Sequence, residues 1–225
     1  MNIIIACAGS KHQTGSFTSD NKQVVFVARP DMCKPDGAAK FVRPDDMVEP
    51  GKSWRDQLND YNEKYRSEGA NPLCFLPAWK LYKPDIYGEL KERFGVQNLF
   101  ILSAGWGLVR SDFLLPSYDI TFSAQADRHK RRRPSDTFQD YLHFPADKEV
   151  PAVFFAGKDY GNFLSRLAKH PSSNLRPRAN FHIWYNTPHP PDMAGYSLCD
   201  YGHHNHSTNW HYTCAKNFMD RTISV

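Results

Sequence analysis

Ile3-Ile4-Ile5-Ala6-Cys7-Ala8-Gly9-Ser10-Lys11 sets the terms for the rest of the chain. Its apolar run does not alternate with polar residues, which fits a strand covered on both faces, and the Ala-Gly after it fits a turn leaving a sheet. The same ending occurs twice more, in Leu102-Ser103-Ala104-Gly105-Trp106-Gly107 and in Phe155-Ala156-Gly157-Lys158-Asp159-Tyr160. Further apolar runs bounded by turn residues lie at 24–27, 99–102, 153–155 and 181–185. Helical stretches separate them. Ser53 is placed to cap a helix over 54–67, and 87–94 stops at Gly95. Ser135 is placed to cap 136–142, and 160–169 ends before Pro171.

Strands alternating with helices imply an α/β protein: three layers, α/β/α, around a short, mostly parallel sheet. In such a sheet the strand C-termini share one edge, where ligands usually bind. Three Ala-Gly endings on that edge would bring bare backbone close to a ligand, although glycine also serves plain strand-to-loop turns. We expect a single α/β domain over 1–187 with a surface insertion at about 12–70, rich in Pro, Asp and Gly between 30 and 50. A His- and aromatic-rich extension over 188–225 is expected to pack on it.

The chain has 225 residues, 40% hydrophobic and 23% charged, enough for a core that needs no disulfide staples. Five cysteines (Cys7, Cys33, Cys74, Cys199, Cys214) without CxxC spacing suit a reducing compartment. No run approaches the ~20 apolar residues of a membrane span, and residues 1–7 lack the basic lead of a signal peptide. A cytoplasmic monomer without membrane contact is therefore expected. Neither a Walker A loop nor a GxGxxG fingerprint is present, so no nucleotide cofactor is expected. His203, His204, His206, His211, Cys199 and Cys214 follow no standard zinc template, and no metal is assigned.

The segment Leu102-Ser103-Ala104-Gly105-Trp106-Gly107-Leu108, followed by Tyr118-Asp119-Ile120-Thr121, resembles the LSAxxGL…YDxT signature of a bacterial and phage family. The opening Ala6-Cys7-Ala8-Gly9-Ser10-Lys11 and Leu81-Tyr82-Lys83 are similar to that family's start and its LY motif. This family is akin to the YaaA group, to a domain of archaeal tRNA-guanine transglycosylase relatives and, more distantly, to uracil-DNA glycosylases. The resemblance spans scattered motifs over residues 1–125 and implies a uracil-glycosylase-like fold. The water-activating and His-Pro-Ser motifs of uracil removal are missing in their usual form. What the resemblance implies is a DNA glycosylase for a modified base, in the manner of defence enzymes that excise hypermodified phage bases and leave abasic sites. A non-catalytic YaaA-like nucleic-acid-binding protein is the alternative from another class. Base exchange in RNA, or hydrolysis of a free nucleoside, is a third.

Breaking an N-glycosidic bond builds positive charge on the sugar, so a carboxylate must lie near it. Asp119 and Asp159 are the candidates. Each also has a plainer reading, as an Asx turn and a helix cap. Trp106, Tyr118 and Tyr160 are expected to stack on an extruded base, and Asn186 to read its edge. Cys7, Gly9, Ser10, Lys11, Ser103 and Gly105 complete the expected substrate-binding edge, although Cys7 equally suits core packing. Arg128-His129-Lys130-Arg131-Arg132-Arg133 carries five formal positive charges, more than the whole-chain net of +4. Arg128, Lys130, Arg131, Arg132 and Arg133, with His203 and His204, are the expected contacts to duplex DNA bearing a flipped base.

Overall fold

The computed structural model describes residues 1–155, 157–186, 190–202 and 209–225. Its central sheet has seven strands, numbered here in chain order: β1 (Asn2–Ala6), β2 (Leu99–Ser103), β3 (Gly107–Arg110), β4 (Tyr141–Leu142), β5 (Ala152–Phe155), β6 (Phe181–Tyr185) and β7 (Ser197–Asp200). They lie in the order β4-β3-β2-β1-β5-β6-β7. From β2 to β7 all neighbours are parallel, while β3 returns antiparallel to β2. The protein is thus mixed α/β with a mostly parallel sheet.

The unbroken apolar runs are explained by cover on both faces. Ile3, Ile5, Leu99, Ile101, Val153 and Phe155 join one core cluster; Ile4, Ala6, Phe100, Leu102, Ala152 and Phe154 join the other. Five helices accompany the sheet among the described residues: α1 (Trp54–Glu68), α2 (Ala78–Leu81), α3 (Ile86–Phe94), α4 (Lys158–Ala168) and α5 (Trp210–Met219). α4 presents Phe163, Leu164 and Leu167 to the second cluster, whereas α1, α3 and α5 contribute to the first. Ser53 caps α1 in a reciprocal box with Asp56, and Gly95 ends α3 at φ +80°.

Three expectations are corrected. Residues 12–70 are not a surface insertion: Phe17, Val24, Phe26, Trp54, Leu58 and Tyr61 are buried in the larger core. The strand Lys22–Val27 belongs to a separate four-stranded sheet, paired in parallel with both Ala39–Val42 and Tyr118–Asp119. No helix forms over 136–142, because Tyr141–Leu142 pairs with Gly107–Leu108 as the sheet's edge strand. The C-terminal segment does more than cover the domain, since it supplies β7 and the buried Trp210, Cys214 and Ala215 of α5. No described helix is long and apolar enough to cross a membrane.

Candidate functional site

The chain runs outward from β1 to β2, β3 and β4, then returns to β5 on the other side of β1. This reversal opens the sheet edge between the ends of β1 and β5, the usual place for a ligand in an α/β protein. Cys7, just after β1, and Tyr160, in the first turn of α4 after β5, meet there with Sγ and the phenolic oxygen 3.0 Å apart. A band of hydroxyl groups lies behind them. Tyr118 shares hydrogen bonds with Tyr82 at 2.7 Å and with Ser103 at 3.0 Å. Tyr87 donates to the Ala6 carbonyl at 2.7 Å and meets the Tyr212 hydroxyl at 3.2 Å. Burial pushes the phenols of Tyr82, Tyr87, Tyr118 and Tyr160 well above their ordinary range, so they serve as neutral hydrogen-bonding groups.

Lys11 stands at the rim beside the exposed Gly9 and Ser10, its ammonium 4.2 Å from the centre of the Tyr118 ring. Burial lowers the Lys11 pKa, opposed by the nearby Cys7 and Asp119. Asp119 accepts the Lys130 ammonium at 2.9 Å, and its side chain is about half exposed (49%). The hydrogen bond to Asp119, then that to Asp127, raises the Lys130 pKa. Backbone pairing holds this arrangement. The Thr121 amide donates to the Lys130 carbonyl and the Arg132 amide to the Thr121 carbonyl, so the basic segment lies against the stretch that follows Asp119.

Within that segment the arginines divide by position. Arg128 and Arg133 are exposed, and Arg131 is half-buried with one bond to the Ala124 carbonyl. Arg132 points inward. Its side chain is fully buried, bonded twice to Asp140 at 2.6 and 2.8 Å and once to the Ala104 carbonyl. Arg132 is therefore a structural residue and not the DNA contact expected of it. A cavity of about 280 Å³ opens among Phe122, Arg128, Arg131 and Arg133. A smaller one, about 110 Å³, adjoins it at Phe122, Arg132 and Pro134, and reaches Asp159, Asn162 and Arg166. Asp159 is exposed in the first turn of α4, whose N-cap is Gly157 rather than an aspartate. There its charge favours the positive end of the helix.

Four expected substrate contacts are also corrected. Trp106 is 0% exposed, wedged against Phe26, Tyr118 and Tyr141, and cannot stack on a base. Tyr118 is buried, with Lys11 over its ring and Gly105 in close contact; a Cβ on Gly105 would lie 2.9 Å from Tyr118 Cδ2. Ser103 is buried too, and its Oγ accepts the amides of Gly105 and Trp106, fixing the turn after β2. The Ala-Gly of this turn brings its backbone against protein rather than ligand. Tyr160 is half-buried against Phe122, and Asn186 is half-buried beyond β6. His203 and His204 lie outside the described residues.

Sequence reasoning missed Arg55, whose guanidinium donates to the carbonyls of Gly105 and Trp106 and pairs with Asp45 at 2.8 Å. It also missed Phe122 and Arg166, which line the cavities. Their spacing carries no motif, and only the fold brings them to the edge. Among the described residues no group of three or more His, Cys, Asp or Glu side chains is arranged to hold a metal. In comparisons with known proteins, no family model, no curated protein and no solved structure matches this chain.

Proposed function

We propose that this protein is an N-glycosylase, with a uracil-glycosylase-like three-layer fold, that removes a modified base from DNA. The observation that carries this reading is the contact between Asp119 and Lys130. It joins a half-exposed carboxylate, at the end of the strand Tyr118–Asp119, to the basic segment. A sugar losing its base becomes cationic, and Asp119 would stabilise that charge. A DNA phosphate would compete for Lys130, leaving the carboxylate free to face the sugar as the strand arrives. The bond between C1′ and the base breaks with its electrons on the base. Water then adds to C1′, and its proton balances the departing base. Asp159, in the arginine-lined tract, is the second carboxylate available to orient that water. Arg128, Arg131 and Arg133 would hold neighbouring phosphates without reading sequence.

The test is to incubate the purified protein with duplexes bearing natural, hydroxymethylated or glucosylated bases, then treat with alkali and assay released base. Release that Asp119→Asn abolishes, with DNA affinity intact, supports the reading. Base release undiminished in Asp119→Asn removes the assignment. Binding without release on every substrate would favour the non-catalytic nucleic-acid-binding alternative.

A further inference from the structure

Gly161 lies inside α4, where glycine is about 0.5–1 kcal/mol less favourable than alanine. No close packing requires it. A Cβ at Gly161 would meet nothing nearer than Pro191 Cβ at 4.0 Å, and one at Gly157 would meet nothing within 4 Å. Gly157 has φ −70°, so backbone conformation does not demand glycine there either. Both glycines border a cavity of about 410 Å³ beyond the ends of β5 and β6. That volume lies within the roughly 300–1,000 Å³ of small-molecule sites.

The walls of this cavity are chemically specific. Trp184, Tyr185 and Trp210 offer aromatic surface, Asn162 and Asn186 offer side-chain amides, and Lys158 contributes a cation. Trp184 is only 6% exposed and meets the Tyr201 ring edge to face, so it closes the wall of the chamber. Asn162 also borders the small cavity that holds Asp159 and Arg166, which in turn adjoins the arginine cleft. A basic tract suited to a phosphate backbone therefore runs to an aromatic chamber at its end.

We infer that this chamber binds a nucleobase. The ring lies against Tyr185 or Trp210, and its edge meets the Asn162 and Asn186 amides. Stacking combined with edge hydrogen bonds is how proteins hold unpaired bases. Because Gly157 and Gly161 keep one wall at backbone level, the chamber has room for a substituent on the ring. Its role as the pocket for the extruded base rests on the glycosylase reading; its capacity to hold a base does not.

The full chain is titrated with deoxycytidine, 5-hydroxymethyldeoxycytidine, thymidine, deoxyadenosine and deoxyguanosine, following heat and tryptophan fluorescence. At least one should bind at about millimolar concentration or better and quench fluorescence. Gly161→Leu, which fills the chamber, should weaken that binding by about tenfold or more, equivalent to roughly 1.4 kcal/mol. Asn162→Ala, at an exposed position, should weaken it severalfold. Gly161→Ala should raise the melting temperature, showing that the helix accepts a side chain there. The inference fails if no nucleoside binds, or if binding ignores both Gly161→Leu and Asn162→Ala. Nucleoside binding without any base release from DNA sinks the glycosylase reading and leaves the chamber standing. Base release that Gly161→Leu leaves unchanged, while nucleoside binding is lost, upholds the chamber as a base site and removes only its role as the pocket for the extruded base.

Discussion

The Lys130 ammonium lies 2.9 Å from the Asp119 carboxylate and 3.2 Å from Asp127, both at the protein surface. Such pairs contribute little to folding, typically under about 1 kcal/mol. Lys130→Met should therefore shift the melting temperature by no more than about 4 °C, as scanning calorimetry will measure. If Lys130 meets a phosphate, the same variant should lower DNA affinity and reduce the salt slope by about one unit in a fluorescence-anisotropy series. An unchanged slope would remove Lys130 from the DNA-contacting set.

Arg132 and its neighbours should behave oppositely. Arg132→Ala strands the Asp140 carboxylate, whose side chain is only 5% exposed, and should cost about 3–5 kcal/mol in urea unfolding. Replacing Arg128, Arg131 and Arg133 together by Ala should leave stability nearly unchanged while weakening DNA binding across all sequences. Equal loss of stability in the two proteins would contradict the inward orientation of Arg132.

Two glycines of the Ala-Gly endings should differ as sharply. Gly105→Ala drives a methyl group into the Tyr118 ring and should destabilise by about 1–3 kcal/mol. At Gly9 an added Cβ meets nothing within 4 Å, so Gly9→Ala should be tolerated. Chemical denaturation of the two variants separates packing from ligand approach as the reason for each glycine.

His211 should make the fold acid-sensitive. It is 7% exposed, and burial lowers its pKa from 6.5 to about 4. The unfolded chain therefore takes up a proton at higher pH than the folded one. The stability tied to neutral His211 is complete above about pH 6.5 and falls as the pH drops toward 4, by about 3 kcal/mol in all. His211→Phe should flatten the stability profile in that window relative to the parent. Identical profiles would show that His211 is not buried neutral.

Much of the frame was readable because its signals are local. Continuous apolar runs mark β1, β2, β5 and β6, and Ser53, a capping residue, marks the start of α1. Gly9, Gly105 and Gly157 do follow strands that share one edge of the sheet, since β2, β1 and β5 are adjacent and parallel. Side-chain direction was not readable. Trp106 turns inward to meet Phe26 across some eighty positions of chain, and nothing near Trp106 announces that partner. The helix expected over 136–142 loses to tertiary pairing: Asp140 is held by Arg132, and Tyr141 completes an open sheet edge. A short isolated helix has too little cooperative stability to compete with both. The arginine run shows the same limit. Arg132 lies in a strand-like stretch beside Thr121, where alternate side chains take opposite sides, so one arginine of three faces the core.

The central position of β1 also governs the timing of assembly. Ile3, Ile4 and Ile5, all fully buried, pair with Leu99–Ile101 on one side and with Val153–Phe155 on the other. At ribosomal speeds of about 5–20 residues per second, the later partner emerges on the order of ten seconds after β1. Until then the isoleucine strand can pair on one side at most, with β2. Newly made chains are thus exposed to chaperones and to mispairing, and the edge where Cys7 meets Tyr160 is assembled only when the second half of the polypeptide closes over the first.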